Sequence, residues 1–319
     1  MKVLFVAPVE VGSGETITTI HMAKMLIDSG DDVFFLASEF ARKFIEKQYP
    51  GRVKDLDTDF NQNIKLWRMT IKEYKPDIII FADYPLMFFS SGSAAFVDEE
   101  NQLEILSGTD AILATLDHTG FGQGARGVFF GPPHISFNYE QWPDLPDSMQ
   151  IMLPCPMNEP GDVTGRKGLP FRYRDVPLRI SDRRRREIRA RFLERNDDFL
   201  LFHCVSNWAW RQANQIGIPL YHFYPEILDT HMGRGGRPIT IVSVNNGRLL
   251  TTPGDSKNNY INLPVISQDE FQELLLSSDL MITENGMSIS LGLAICGHIP
   301  CVSFQNSHRY RVLRSELNT

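Results

Sequence analysis

The sequence predicts an α/β protein made of two parallel-sheet domains, and three observations carry that expectation. Near-continuous apolar runs alternate with amphipathic stretches along most of the chain. Such runs are strands buried on both faces, because a strand with one wet face alternates apolar and polar residues. The alternation fails from about Gly131 to Val176, where prolines crowd "GPPH", "QWPDLPD", "LPCPMNEPGD" and "GLPFRYRDVP", and then it resumes. The expected boundaries are a first domain over 1–155, a proline-rich linker over 156–180 and a second domain over 181–319.

Taken in order, "VLFVAP" (Val3–Pro8) is the first strand, too short for a secretory signal and without a small-residue cleavage site after it. Beyond the loop "VEVGSGE", Ile17, Ile20, Met22, Ala23, Leu26 and Ile27 recur at helical spacing, and Gly30 is the natural stop. "DDVFFLAS" is a second strand, and "EFARKFIEKQY" a helix halted by Pro50. A helix ending "TIKEYK" precedes the strand of "PDIIIFADYP"; "SGTDAILATLDHTG" holds another strand, and "SMQIMLPCP" supplies a last one. The second domain opens on a basic helix, "SDRRRREIRARFLERN", capped by Ser181 and edged by Ile188, Phe192 and Leu193. There follow "DFLLFHCVSNW", a helix with "YPEILDTHM", "PITIVSVNNG", "NYINLPVI", the helix "SQDEFQELLLSS", the strand "DLMIT", a helix and "IPCVSF". In open sheets of this kind ligands bind outside the carboxyl ends of the strands.

With 319 residues, 42% of them hydrophobic and 22% charged, the chain can bury two cores and is not expected to be disordered. A net charge of -7 argues against a surface built to grip nucleic acid or anionic lipid. On that background Arg183–Arg186, Arg189 and Arg191 read as a solvated helix face, and His203 in "LLFHCV" as a core histidine. Four cysteines without a C-x-x-C pair point to a reduced, cytoplasmic protein with neither a disulfide framework nor a zinc site. No apolar stretch reaches the length of a membrane span.

Three second-domain strands close in small polar residues: Ser206 and Asn207, Asn245 and Asn246, and Thr283, Glu284, Asn285 and Gly286, the last followed by Ser288 and Ser290. A helix that starts there offers unpaired N–H groups and a positive dipole end to a diphosphate. Gly286 lets the backbone approach closely, Ser288 and Ser290 can donate, and Glu284 can accept both hydroxyls of a ribose or sugar. The same residues also read as helix caps and Asn-Gly turns. Their coincidence at several strand ends is what points to a ligand.

The tract "ISQDEFQELLLSSDLMITENGMSISLGLAICGHIPCVSF" resembles the C-terminal half of GT-B glycosyltransferases through Ser278, Asp279, Thr283, Gly286, Ser288, Ala294, Gly297 and Pro300. The N-terminal half is similar to the acceptor domain of that group. The resemblance implies an α/β fold of two Rossmann-like parallel-sheet domains facing across a cleft, the second holding a nucleotide sugar and the first an acceptor. It departs in two places. Glu284-Asn285-Gly286 stands where many members carry His-Gly-Gly. The chain also ends at Thr319, soon after Phe304, so a helix crossing back onto the first domain is expected to be missing or reduced.

Members of the group commonly supply the catalytic base from the residue after the first loop's glycine, which here assigns that role to Glu15, next to Gly14. Burial would raise the pKa of such a carboxylate toward neutrality, whereas a place in a helix's first turn would lower it. Asp83, Asp117 and His118 close two other first-domain strands and can assist or replace it, His118 being the one that titrates near neutral pH. Caps and turns explain these residues equally well. Gly12, Ser13, Gly14 and Phe121 are expected to line the acceptor site, in loops that carry neither a P-loop lysine nor the third glycine of the dinucleotide fingerprint. No Asp-x-Asp motif suggests a metal bridge. The implied reaction is therefore an inverting transfer without metal or cofactor, from a nucleotide sugar to the hydroxyl of a small molecule. An epimerase or hydrolase of the same fold, or an inactive nucleotide-sugar-binding subunit, are the alternatives.

Overall fold

Both faces of the first strand are apolar, and the structure covers both. In β1 (Lys2–Ala7), Leu4 and Val6 join one core cluster while Val3, Phe5 and Ala7 join another. This is what a period of two does to a continuous apolar run. The computed structural model describes residues 1–8, 14–57, 59–84, 105, 107–117, 146–155, 168–172, 178–204, 225–230, 239–244, 256–264, 266–283 and 289–303. Contacts divide the chain into two units, Met1–Phe129 with Phe137–Arg174 and Phe130–Ser136 with Asp175–Thr319.

The first unit continues with α1 (Gly14–Asp28), β2 (Asp32–Ala37), α2 (Glu39–Gln48), β3 (Val53–Asp55), α3 (Phe60–Tyr74), β4 (Ile78–Phe81), β5 (Ile112–Leu116), β6 (Gln150–Cys155) and β7 (Leu169–Arg172). All seven strands pair in parallel, in the order β3-β2-β1-β4-β5-β6-β7. Ile20 and Ala23 of α1, with Ala41 and Ile45 of α2, pack on one face of β1; Ile64 and Trp67 of α3 pack on the other. The unit is thus doubly wound. The helix stops follow local chemistry: Gly30 takes the left-handed conformation (φ 88°) after α1, Ser38 caps α2 and Asp59 caps α3.

One expectation needs correcting. The stretch 156–180 is not linker throughout, because β7 pairs with β6 from Met152↔Leu169 to Cys155↔Arg172. Pro170 within it hid the strand, and β7 tolerates a proline because it lies at the sheet edge, where one row of N–H groups has no ladder partner. Gly168 enters this strand where an added Cβ would lie 2.6 Å from the Leu153 side chain.

The second unit holds α4 (Asp182–Arg189), β8 (Phe199–Cys204), a helical segment over 225–230, β9 (Ile239–Val244), β10 (Asn259–Leu263), α5 (Gln268–Ser277), β11 (Leu280–Thr283), α6 (Ile289–Cys296) and β12 (Cys301–Ser303). Its five parallel strands run β10-β9-β8-β11-β12, the same order as the first five of the other sheet, counted from each unit's own first strand. Ser267 and Glu270 form a complete capping box on α5. Asp229 ties the 225–230 segment to the sheet by accepting from Tyr260 Oη (2.7 Å), Ser256 Oγ (2.8 Å) and Asn258 Nδ2 (2.6 Å). Burial and this carboxylate push the Tyr260 phenol well above its usual range. Among the described residues no helix is long and apolar enough to cross a membrane.

The arginine run is only partly a solvated face. Arg189 is buried, donating to Asp279 Oδ2 (2.9 Å) and to the carbonyls of Asn196, Asp198 and Ser277. Arg185 reaches Asp279 Oδ1 (3.1 Å), and Arg184 forks onto Glu273 of α5 at 2.9 and 2.6 Å. Arg183, by contrast, stands in solvent beside Glu187. A run of like charge reads as solvated until its partners are known, and these lie about 90 residues away in sequence.

His203 is a core histidine, as expected. It sits on β8, buried, with Nδ1 2.9 Å from Ser243 Oγ on the adjacent β9. Burial lowers its pKa to about 4. Between pH 4 and about 6.5 the unfolded chain therefore binds a proton that the native state refuses, so stability falls as pH falls through that window. The full difference is about 3 kcal/mol. Thermal unfolding of the wild type should lose stability more steeply between pH 6.5 and 4 than that of His203→Gln; equal slopes would contradict the assignment.

Candidate functional site

In each unit the strand order reverses direction beside the first strand, between β1 and β4 and between β8 and β11. In open parallel sheets such a reversal marks where ligands bind, outside the carboxyl ends of the strands. The candidate residues fall at these ends.

In the second unit, Cys204 ends β8 level with Val244 of β9 and Thr283 of β11. Strands β9, β8 and β11 are neighbours, so the three polar strand mouths belong to adjacent strands. Thr283 is buried at its mouth. Ser290 lies in the first turn of α6, and its hydroxyl is 3.6 Å from Cys204 Sγ, which brings the start of this helix against the end of β8. Ser206, Asn207, Asn245, Asn246, Glu284, Asn285, Gly286 and Ser288 lie outside the described residues.

The motif residues shared with the GT-B tract divide by height in the sheet. Ser278 and Asp279 are at the amino end of β11, away from the mouth, where Ser278 Oγ donates to the Leu275 carbonyl (2.7 Å) and Asp279 holds Arg189. Ala294 is core, and the Pro300 carbonyl accepts from Met281 N at 2.9 Å. Gly297 lets α6 lie close to α5, since a Cβ there would come within 2.2 Å of Leu276 Cδ2. Thr283 is the described member of the set that stands at the carboxyl end of the strand.

In the first unit, Gly14 and Glu15 open α1 directly after the loop that follows β1. Glu15 is partly buried, in the first turn of the helix and beside its own backbone N–H. The two effects oppose each other: burial raises the carboxyl pKa, the N–H contact lowers it, and burial wins. The position in the helix's first turn, which should depress the pKa, is thus outweighed. Asp83 and Asp117 are both buried, each two residues past the paired Phe81 and Thr115, and so level with one another at the ends of β4 and β5. The structure brings Glu15, Asp83 and Asp117 to the same end of one sheet. Gly12, Ser13, His118 and Phe121 lie outside the described residues.

Two residues at these ends carried no signal in the sequence reading: Thr16, buried beside Glu15, and Cys204. The overlapping triplets Asp55-Leu56-Asp57 and Asp57-Thr58-Asp59 make local contacts. Asp55 pairs with Arg42 (3.0 Å), Asp57 accepts from Asp59 N (2.9 Å), and Asp59 caps α3. Among the described residues no three His, Cys, Asp or Glu side chains gather as a metal site.

Residues 22–316 match the model of a family described as a family of unknown function (DUF6365). A comparison with curated proteins finds no match. Among solved structures the chain is similar to the spinosyn forosaminyltransferase SpnP, with a TM-score of 0.54 and 14% identity over 96% of this chain and 80% of that one. It is similar to the glycosyltransferase SnogD from Streptomyces nogalater, with a TM-score of 0.52 and 14% identity over 96% and 82%. A Listeria monocytogenes protein named as a UDP-N-acetylglucosamine 2-epimerase gives 0.50 and 10% over 95% and 78%. At such identities the likeness shows the fold, which is GT-B-like. The chain belongs to the family of unknown function DUF6365, and its two parallel-sheet units have the fold of GT-B glycosyltransferases.

Proposed function

We propose that this chain is a glycosyltransferase that moves a sugar from a nucleotide sugar to a hydroxyl of a small-molecule acceptor, with inversion and without a metal. The observation that carries the reading is Glu15: a carboxyl whose pKa burial raises, in the first turn of a helix at the ligand end of a doubly wound sheet. Activation of an alcohol needs a base, and a raised pKa makes a carboxylate a stronger one. The second unit would bind the donor at the mouths of β8, β9 and β11, through Ser206, Asn207, Asn245, Asn246, Thr283, Glu284, Asn285, Gly286, Ser288 and Ser290. The first would take the acceptor near Gly12, Ser13, Gly14 and Phe121, with Asp83, Asp117 and His118 beside the base.

Glu15 takes the proton of the acceptor hydroxyl as its oxygen attacks the anomeric carbon. The bond from that carbon to the diphosphate oxygen breaks, and the nucleoside diphosphate leaves toward the N–H groups at the start of α6. A second reading, epimerisation of the nucleotide sugar, is favoured by the likeness to the epimerase-named structure and by the three carboxylates at one sheet end.

One experiment separates them. Wild-type protein with a panel of nucleotide sugars and alcohols should release nucleoside diphosphate together with a product heavier than the alcohol by one glycosyl group. Interconversion of the donor without an acceptor would instead establish the epimerase.

A further inference from the structure

Three threonines open α1, and their hydroxyls are treated differently. Thr18 Oγ1 donates to the Gly14 carbonyl (3.2 Å) and Thr19 Oγ1 to the Glu15 carbonyl (2.8 Å), each bonding back one turn. For Thr16 the residue one turn back is Gly12, which lies outside the described residues. Thr16 is fully buried, and its Oγ1 has no hydrogen-bond partner. A buried hydroxyl left unmade costs stability, and native structures rarely keep one without a use.

The position says what the use is. Thr16 shares the stripe of Ile20 and Ala23 (i, i+4, i+7), which faces the sheet through the cluster containing Val3, Phe5 and Ile80. It is the stripe's first member, so it sits at the end of α1 that follows the carboxyl end of β1, the end toward which helical side chains lean. A bare helix N-terminus there would suit an anion. This one already carries a carboxylate, that of Glu15 in its first turn. A second anion would meet that carboxylate, whereas an uncharged hydroxyl would not.

We propose that Thr16 and Glu15 form a two-point grip on the hydroxyl of an uncharged alcohol. The Thr16 hydroxyl donates to the ligand oxygen, and the Glu15 carboxylate accepts the ligand's proton. This rests on reading the first unit as the acceptor half, and it narrows the acceptor class to alcohols without phosphate at the reacting end. Thr16 is a positioning residue that orients the oxygen for attack.

The variants Thr16→Val, equal in shape but without the hydroxyl, and Thr16→Ser test it. Without ligand, Thr16→Val should melt a few degrees above wild type; a lower Tm would mean that the hydroxyl is satisfied within the protein and would overturn the proposal. Inorganic phosphate should shift the Tm of wild type and Thr16→Val alike; a stabilisation present in wild type and lost in Thr16→Val would make the site anionic and overturn the uncharged class. In transfer assays Thr16→Val should raise the acceptor KM about tenfold, with the donor KM unchanged and Thr16→Ser close to wild type. An unchanged acceptor KM would also overturn it. Should wild type transfer to no alcohol at all, the transferase reading fails, while the ligand-free Tm comparison still decides whether Thr16 holds an open hydroxyl.

Discussion

Glu15→Gln is expected to lower transfer by about 10²- to 10⁴-fold, the range a positioned general base contributes, while nucleotide-sugar affinity stays near that of wild type. Glutamine keeps the shape and the hydrogen-bonding oxygen but cannot take a proton. The pH dependence should carry the same signature. The carboxyl must be ionised to act, and burial holds its pKa above the ordinary glutamate range, so kcat/KM should fall on acidification with a midpoint higher than that range. Stability moves the other way. A raised native pKa means that the folded state binds more protons than the unfolded one between the ordinary value and the native value, so wild type loses stability as pH rises through that window. Glutamine feels no such loss, and the Tm advantage of Glu15→Gln over wild type should widen from acid toward neutral pH. Retained turnover in Glu15→Gln would move the base to Asp83, Asp117 or His118.

Asp279→Ala should destabilise the second unit by about 3–5 kcal/mol, the cost of leaving a buried charge without its partner. Arg189 is 4% exposed and cannot turn to solvent, and Arg185 and the Leu200 N–H lose the same carboxylate. Replacing both partners with apolar residues, Arg189→Met with Asp279→Leu, should recover part of the loss, because no buried charge is then stranded while the Leu200 N–H and the Asn196, Asp198 and Ser277 carbonyls still lose their partners. Chemical unfolding at neutral pH measures both variants. A loss below about 1 kcal/mol in Asp279→Ala would place the pair among ordinary surface ion pairs.

Most of the fold could be read from the sequence because it is written in local terms. "VLFVAP", "DVFFLA" and "LLFHCV" are apolar on both faces, and only helices on both sides of a parallel sheet can cover such strands. Ser181 is a cap in the sequence and a cap in the structure. What escaped was non-local. β7 is short, contains Pro170 and is defined by its pairing with β6 rather than by its own pattern. Arg189 looks like its solvated neighbours until Asp279, 90 residues on, is placed beside it.

The candidate site divides along the same line. That Ser206, Asn245 and Thr283 follow adjacent strands was implied by the alternation and is fixed by the order β9-β8-β11. The contact between Cys204 and Ser290 spans 86 residues and had no local sign. Thr16 shows why a motif alone misleads: "TITT" offers equivalent hydroxyls, and only the structure tells which one lacks a partner. Likewise Asp279, part of the tract that resembles GT-B enzymes, serves the arginine at the far end of its strand instead of a ligand.

The most direct measurement is equilibrium binding of nucleotide sugars to the whole chain, by thermal shift and calorimetry across uridine, thymidine, guanosine, adenosine and cytidine donors. One base should raise the Tm in a concentration-dependent way, with its free nucleoside diphosphate doing the same and Glu284→Ala weakening both. Insensitivity to every nucleotide and nucleotide sugar would contradict the account.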